Sequence, residues 1–365
     1  MPEDQVEKSE WQLYTDSESA WQAMIDAIKE ATESIALEQF ILTNDSAGAR
    51  FIDCLAERAR SGIKVRILCD EVGSFGLSRS NQSYFLRSAG AEIKFFNSIV
   101  PWSPNNEAVW YFRDHSKLLV VDSKIGFTGG VCIGDEMRSW RESTVRIEGA
   151  AVREMLASFE VMWNKTYHKI KYYFKRRKKD QEIGSFLYIT NAPLPDKHYL
   201  YRELIRAIRS ARHYIYLTTP YLLPDSRLLR ALKRAAKRKI EVRLLVPHTT
   251  NHKILDIGMD TFFRDMLEHG IKIFRYPVSQ FIHAKTGVID GLWATVGSMN
   301  LDNLSLRYNF EGNIVSTDKQ FAFEIERQFL DDLKISKQLT LPEWHARPLY
   351  RKILESFVWP IRKLL

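Results

Sequence analysis

Residues 47–68 read AGARFIDCLAERARSGIKVRIL and residues 225–245 read DSRLLRALKRAAKRKIEVRLL. Each stretch has apolar residues at three- and four-residue steps, the period of an amphipathic helix, and then a short β-rich run. The similarity extends outward in both directions. Ahead of each lies another helix-then-strand pair, MIDAIKEATESIALEQFIL from Met24 and LIRAIRSARHYIYLTTPYLL from Leu204. Behind each, a glycine turn introduces a third strand, AGAEIKFFN at 89–97 and HGIKIFRY at 269–276. A further matched strand follows, HSKLLVVD at 115–122 and HAKTGVID at 283–290. One offset, about 170 to 180 residues, relates every pair. Helices alternating with strands, twice over, predict an α/β fold of two homologous domains, each a mixed or parallel sheet flanked by helices. The expected layout is an N-terminal tail at 1–10, a first domain at 11–164, a linker at 165–182, a second domain at 183–335 and a C-terminal tail at 336–365.

Composition agrees with that size. The chain has 365 residues, 45% hydrophobic and 27% charged, which is globular and longer than one domain of about 150 residues. No run approaches the ~18 uninterrupted apolar residues of a spanning helix. The start, MPEDQVEKSEW, is acidic and polar, unlike a secretory signal. Three separated cysteines, Cys54, Cys69 and Cys132, form neither a disulfide framework nor a zinc cluster, so a reduced, cytoplasmic setting is the default. The formal net charge is +8. Lys165, Lys169, Lys171, Lys175, Arg176, Arg177, Lys178 and Lys179 account for all of it, and the rest of the chain balances. A nucleic-acid channel needs cations spread over both domains, so no nucleic-acid partner is expected.

The chemistry-bearing pattern is doubled. His115-x-Lys117-x4-Asp122 is followed by Gly129-Gly130, and His283-x-Lys285-x4-Asp290 by Gly297-Ser298-x-Asn300. On a strand, residues i and i+2 project to one face, so each histidine and lysine point together. Two such domains meeting across a pseudo-twofold would put two histidines and two lysines in one active site at their interface. Two ammonium groups neutralise a phosphodiester, and two imidazoles titrating near neutrality can divide the nucleophile and acid roles. Asp122 and Asp290 lie seven residues past their histidines, about 20 Å away on a straight strand and on its other face. They are therefore expected to be structural, at the strand ends.

The doubled HxKx4D resembles the signature of the phospholipase D superfamily. The order of the chain from about 11 to 335, including Thr219-Pro220-Tyr221, resembles its bacterial cardiolipin synthase branch. The resemblance implies two phospholipase D-like domains and a phosphatidyltransferase. A phosphatidyl group would pass from one phosphatidylglycerol to another through a phosphohistidine, releasing glycerol. His115, Lys117, His283 and Lys285 would be catalytic, with His115 the nucleophile by family habit. Glu142 and Glu311 lie 27 and 28 residues beyond His115 and His283, where the resemblance implies a glutamate that holds the histidine. Gly130, Ser298 and Asn300 would bind the phosphate, and no metal or other cofactor is implied. The chain departs from the family at Cys132, which stands in an asparagine's slot, and at Glu142, where an aspartate is usual. A hydrolytic phospholipase D and a superfamily nuclease share the motifs. An idle lipid-binding scaffold is opposed by the survival of all four His and Lys residues.

Two segments suggest contact with anionic phospholipid. In the linker, Lys171, Tyr172, Tyr173, Phe174, Lys175, Arg176, Arg177, Lys178 and Lys179 interleave aromatic rings with cations, which suits a membrane surface and equally a solvated linker. At the C-terminus, Leu349, Ile353, Phe357, Ile361 and Leu364 form a helical stripe with cations beside it, and Pro360 would kink the helix. Members of the branch often begin with membrane-spanning helices and none is read here. The expectation is a peripheral protein, or a trimmed one, at the inner face of the cell membrane. His248-x3-His252-x3-Asp256 has metal-ligand spacing, and a polar loop is the simpler reading.

Overall fold

The computed structural model describes residues 9–103, 109–164, 185–194, 196–360 and 362. The described chain divides into two compact units. One runs up to Tyr199 and takes in Val296–Met299 and Tyr308–Val315; the other holds Leu200–Thr295, Asn300–Arg307 and the chain from Ser316 onward.

The first unit contains β1 (Trp11–Asp16), β2 (Ser34–Gln39), β3 (Lys64–Asp70), β4 (Glu92–Phe96), β5 (Arg113–Asp114), β6 (Leu118–Val121), β7 (Ile125–Gly129), β8 (Arg141–Glu148) and β9 (Phe186–Asn191). Its main sheet has the order β1-β8-β7-β6-β2-β3-β4. Strands β2, β3 and β4 run parallel, while β6, β7, β8 and β1 are antiparallel. Val65 to Asp70 is buried at every position, as a parallel strand covered on both faces must be. The helices are held by their apolar stripes. In Ser46–Arg60, Ala47, Phe51, Ile52, Leu55 and Ala56 are buried, and Asp45 accepts the Gly48 N–H at 3.1 Å to cap the first turn.

The second unit repeats the plan. It contains β10 (Tyr214–Thr218), β11 (Leu222–Leu223), β12 (Glu241–Pro247), β13 (Lys272–Tyr276), β14 (Thr286–Ile289), β15 (Trp293–Gly297) and β16 (Leu301–Asp302), with β18 (Lys337–Leu339) near the end. Parallel β10, β12 and β13 match β2, β3 and β4, and antiparallel β14 matches β6. Asp225 caps helix Ser226–Lys237 through the Arg227 and Leu228 N–H groups, as Asp45 caps its counterpart. β17 (Asn309–Ser316) follows the second motif in sequence, but nearly all of it belongs to the first unit. There it pairs in parallel with β5, Asn309 opposite Arg113 and Phe310 opposite Asp114.

The basic–aromatic segment of the sequence reading, with Ile361 and Leu364, lies outside the described residues. No helix among the described residues is long and apolar enough to cross a membrane.

Candidate active site

The two His-x-Lys segments lie just ahead of strands and are not themselves strands. β6 begins at Leu118 and β14 at Thr286, three residues past each histidine. The cause lies in the side chains. Lys117 Nζ donates to the His115 carbonyl at 2.7 Å, and Lys285 Nζ donates to the His283 carbonyl at 2.5 Å. Each lysine thus occupies the carbonyl a ladder would use, and its ammonium is fixed beside its own histidine. Both lysines are buried, at 1% and 2% exposure, so these are charges held away from bulk water.

The first histidine is oriented by a carboxylate. His115 Nδ1 lies 2.9 Å from Glu311 Oε1 and 3.1 Å from Oε2. The His115 N–H also donates to the Phe310 carbonyl at 2.9 Å, which fixes the backbone beside β17. A proton on Nδ1, facing the carboxylate, leaves Nε2 with its lone pair. This corrects the pairing that the resemblance implies. Glu311 stands 28 residues beyond His283, yet it holds His115, because its strand, paired on one side with β15 of its own repeat, pairs on the other with β5, which leads into His115. The matching residue Glu142 is fully buried at the start of β8, and its Oε2 accepts the Ser143 N–H at 3.3 Å.

Ser298 also differs from its expected place. Its hydroxyl donates to Glu311 Oε2 at 2.5 Å and accepts the Gly312 N–H at 3.0 Å. The proton that was to meet a phosphate is already committed, so Ser298 braces the carboxylate that holds His115. Gly130 donates its N–H to the Ser143 carbonyl at 2.9 Å. Asn300 is buried, and its Oδ1 has no hydrogen-bond partner among the described residues. Cys132 is 2% exposed, and its carbonyl accepts the Trp21 indole N–H at 2.9 Å. The glycine tails have a steric cause. A Cβ on Gly129 would lie 2.3 Å from the Ser143 carbonyl oxygen, and one on Gly297 would lie 2.5 Å from Asn313 Cα.

Asp122 and Asp290 tie the backbone. Both are in the left-handed region, at φ 51° and 55°. Asp122 accepts the N–H groups of Thr32, Glu33 and Ser34 and the Thr32 hydroxyl, all at 2.8 Å. Asp290 accepts those of Arg212, His213 and Tyr214 at 2.7 to 2.9 Å. These donors hold both carboxyls below the usual range against a burial effect that pushes the other way.

Several further side chains neighbour the two histidines. Phe40 meets His115 edge-on, with ring centres 4.8 Å apart, and lies 5.3 Å from Lys117 Nζ. In the second unit Tyr221 meets His283 edge-on at 6.3 Å, and Phe281 lies at 5.7 Å. Thr219 braces that turn, its hydroxyl donating to the Tyr221 carbonyl and accepting the Leu301 N–H. Behind His115 lies a buried acidic cluster. Asp114 donates its N–H to Asp70 Oδ2 at 3.0 Å, and Arg113 Nη1 is 3.3 Å from Asp70 Oδ1. Burial pushes Asp70 up to about 6, with Arg113 opposing. It also pushes Asp114 up to about 7. Burial and the neighbouring Asp114 carboxyl raise Glu38 well above the ordinary range. The His252 ring lies 6.3 Å from that of Tyr221, and Asp256 accepts the Thr250 N–H at 2.7 Å, so this loop serves the Tyr221 side of the unit.

Comparison with known proteins places this arrangement. The family described as cardiolipin synthase, PLD-like domain, matches residues 24–163 and 204–333. A cardiolipin synthase of Listeria monocytogenes is 34% identical over 363 residues, covering 96% of this chain and 74% of that protein. Cardiolipin synthase 1 of Staphylococcus aureus is 31% identical over 367 residues, covering 96% and 73%. Among solved structures, the phosphatidylserine synthase of Haemophilus influenzae superposes with a TM-score of 0.76 at 13% identity, over 97% of this chain and 95% of that one, a likeness of fold.

Proposed function

Because the chain belongs to the cardiolipin synthase family of phospholipase D-like proteins, we propose that it transfers a phosphatidyl group from one phosphatidylglycerol to another. The observation that carries the reading is the bifurcated contact of His115 Nδ1 with Glu311, beside the buried Lys117 ammonium that is fixed on the His115 carbonyl.

His115 is the nucleophile. Its Nε2 attacks phosphorus, the bond from phosphorus to the glycerol oxygen breaks, and His283 gives its proton to the departing alkoxide. Glycerol leaves and a phosphohistidine remains. His283, now neutral, takes the proton from the hydroxyl of a second phosphatidylglycerol. That oxygen attacks phosphorus, the phosphorus–nitrogen bond breaks, and cardiolipin is released with both histidines restored. Glu311 stabilises the positive charge that His115 acquires during attack, in the manner of a carboxylate behind a catalytic imidazole. Lys117 and Lys285 offset the charge that grows on the phosphoryl oxygens, so the reading needs no metal ion. Asn300 gives its amide N–H to the phosphate, while the Gly130 N–H is spent on the Ser143 carbonyl and Gly130 serves only to shape the backbone there.

Phosphatidylglycerol is anionic, so the substrate bilayer is also a docking surface. On this reading the cations and aromatic rings at 171–179 meet the inner face of the cell membrane and hold the protein there peripherally. The test is incubation of purified protein with phosphatidylglycerol vesicles and mass spectrometry of the products. Cardiolipin and free glycerol in equal amounts support the transfer. Phosphatidic acid in place of cardiolipin would mean that water is the acceptor and the enzyme is a hydrolase.

A further inference from the structure

Outside 165–179 the chain is neutral in sum, and that sum conceals a local excess. Helix Ser226–Lys237 and the turn after it carry seven cations, from Arg227 to Lys239, and no carboxylate. Leu228, Ala231, Leu232 and Ala235 are buried, which turns the cations outward. Arg230, Lys233, Arg234, Lys237 and Lys239 line a depression of about 670 Å³. Its acidic residue, Glu268, is taken by Arg264 at 2.8 Å, and Lys233 pairs with Asp265 at 2.8 Å. Arg234, Lys237 and Lys239 have no carboxylate partner among the described residues.

An apolar face adjoins it. Helix Leu349–Val358 packs on helix Lys253–Glu268, the same helix that carries Asp265 and Glu268. It turns Leu349, Tyr350, Ile353, Leu354 and Phe357 to solvent, with Leu349 and Phe357 72% and 73% exposed. At ~100° per residue these five occupy an arc about 140° wide. Its own arginine, Arg351, is half-exposed and reaches to 3.7 Å from the buried Asp260. Arg264 lines the hollow beneath this helix and pairs with Glu268 of the basic depression, so the two features are neighbours.

We infer that this side of the second unit, the exposed face of helix Leu349–Val358 together with the cations of Ser226–Lys239, is a docking surface for an anionic lipid bilayer. The apolar side chains enter at headgroup depth while the cations meet lipid phosphates. The two halves of the surface select this occupant. A nucleic acid would use the cations and leave five apolar side chains in water. A second copy would cover the apolar face, and an isologous pairing would then set one basic helix against the other. A bilayer takes both. The choice of lipid rests on the phosphatidyl-transfer reading; the docking itself is scored without turnover.

The test is sedimentation of the full chain with vesicles of equimolar phosphatidylcholine and phosphatidylglycerol, at low and high salt. Two variants are compared with wild type, Arg230→Gln/Arg234→Gln/Lys237→Gln and Leu349→Ser/Phe357→Ser. Each should bind at least about tenfold more weakly. The charge variant should lose most of the salt dependence and the serine variant should keep it. Both should retain wild-type turnover of detergent-dispersed phosphatidylglycerol. Wild-type binding by either variant overturns the inference. So does a preference of wild type for duplex nucleic acid over the vesicles, or a dimer in solution that Leu349→Ser/Phe357→Ser alone dissolves while vesicle binding persists. Docking without turnover of phosphatidylglycerol would leave this surface standing and defeat the proposed activity instead.

Discussion

The residue before His115 is an aspartate, and the residue before His283 is an isoleucine. The same contrast recurs on the neighbouring strands. Glu38 pairs with Leu118, three residues past His115, while Thr218 pairs with Thr286, three residues past His283. Asp70 ends β3 opposite Phe96, while Pro247 ends β12 opposite Tyr276. Behind one histidine lie three buried carboxyl groups; at the matching positions behind the other there are none. Yet the lysine-to-carbonyl bond, the aspartate that ties the strand end and the aromatic edge against the imidazole occur in both. The repeated features fix where the histidines stand. The unrepeated ones set how each surrounding titrates. A fold built from one unit twice can divide two chemical roles because only the second set of residues has diverged.

The severest way to break the comparison is to remove each histidine. His115→Ala and His283→Ala should each lower turnover by about 10³-fold or more without unfolding the protein, because each step needs both groups. A tenth of wild-type activity in either would remove that histidine from the mechanism. Next is the carboxylate. Glu311→Gln should lower kcat about 10²-fold with little change in KM, since it acts through His115 and not on the lipid. Steady-state kinetics on dispersed substrate read this directly, and a change confined to KM would contradict it.

The acidic cluster sharpens the contrast through pH. The Asp114 carboxyl is raised by burial, so the folded state binds its proton more tightly than the unfolded chain does. Its contribution to stability is therefore present at acid pH and is lost as pH rises from about 4, the unfolded value, to about 7, the folded one. Asp114→Asn should flatten the dependence of chemical-denaturation midpoint on pH across that window. A slope equal to that of wild type would show that Asp114 does not titrate there. The smallest effect should be the most symmetrical. Asp122→Asn and Asp290→Asn each weaken a set of backbone hydrogen bonds at a partly exposed site and should each cost about 1 kcal/mol. A large difference between the two would mean that the strand ends are not equivalent.

Much of this frame was legible in the sequence, because helix periodicity and glycine turns are local signals and the offset between copies is constant. The tying role of Asp122 and Asp290 follows from counting residues along a strand. The exchanged partnership of Glu311 does not, since spacing cannot tell that β17, beside β15 of its own repeat, will also pair with β5 next to His115. The partner of Ser298 is hidden for the same reason, being fixed by that strand. Glu38, Asp70 and Asp114 sit on three different strands and meet only when the sheet forms. Thr219-Pro220-Tyr221 is legible as a family resemblance, but the approach of Phe40 and Tyr221 to the two imidazoles is set by tertiary packing. The basic helix at 226–239 was lost in a sum over the chain, where its charge is balanced by acids elsewhere.

The central claim is that His115, held by Glu311, is the nucleophile while His283 moves the protons. The most direct measurement is rapid quenching of His283→Ala with phosphatidylglycerol, followed by peptide mass spectrometry under conditions that preserve phosphoramidates. A phosphatidyl adduct is expected on His115, formed slowly without the His283 proton and slow to leave. An adduct on His283 in the reciprocal His115→Ala variant, with His115 unmodified throughout, would contradict it.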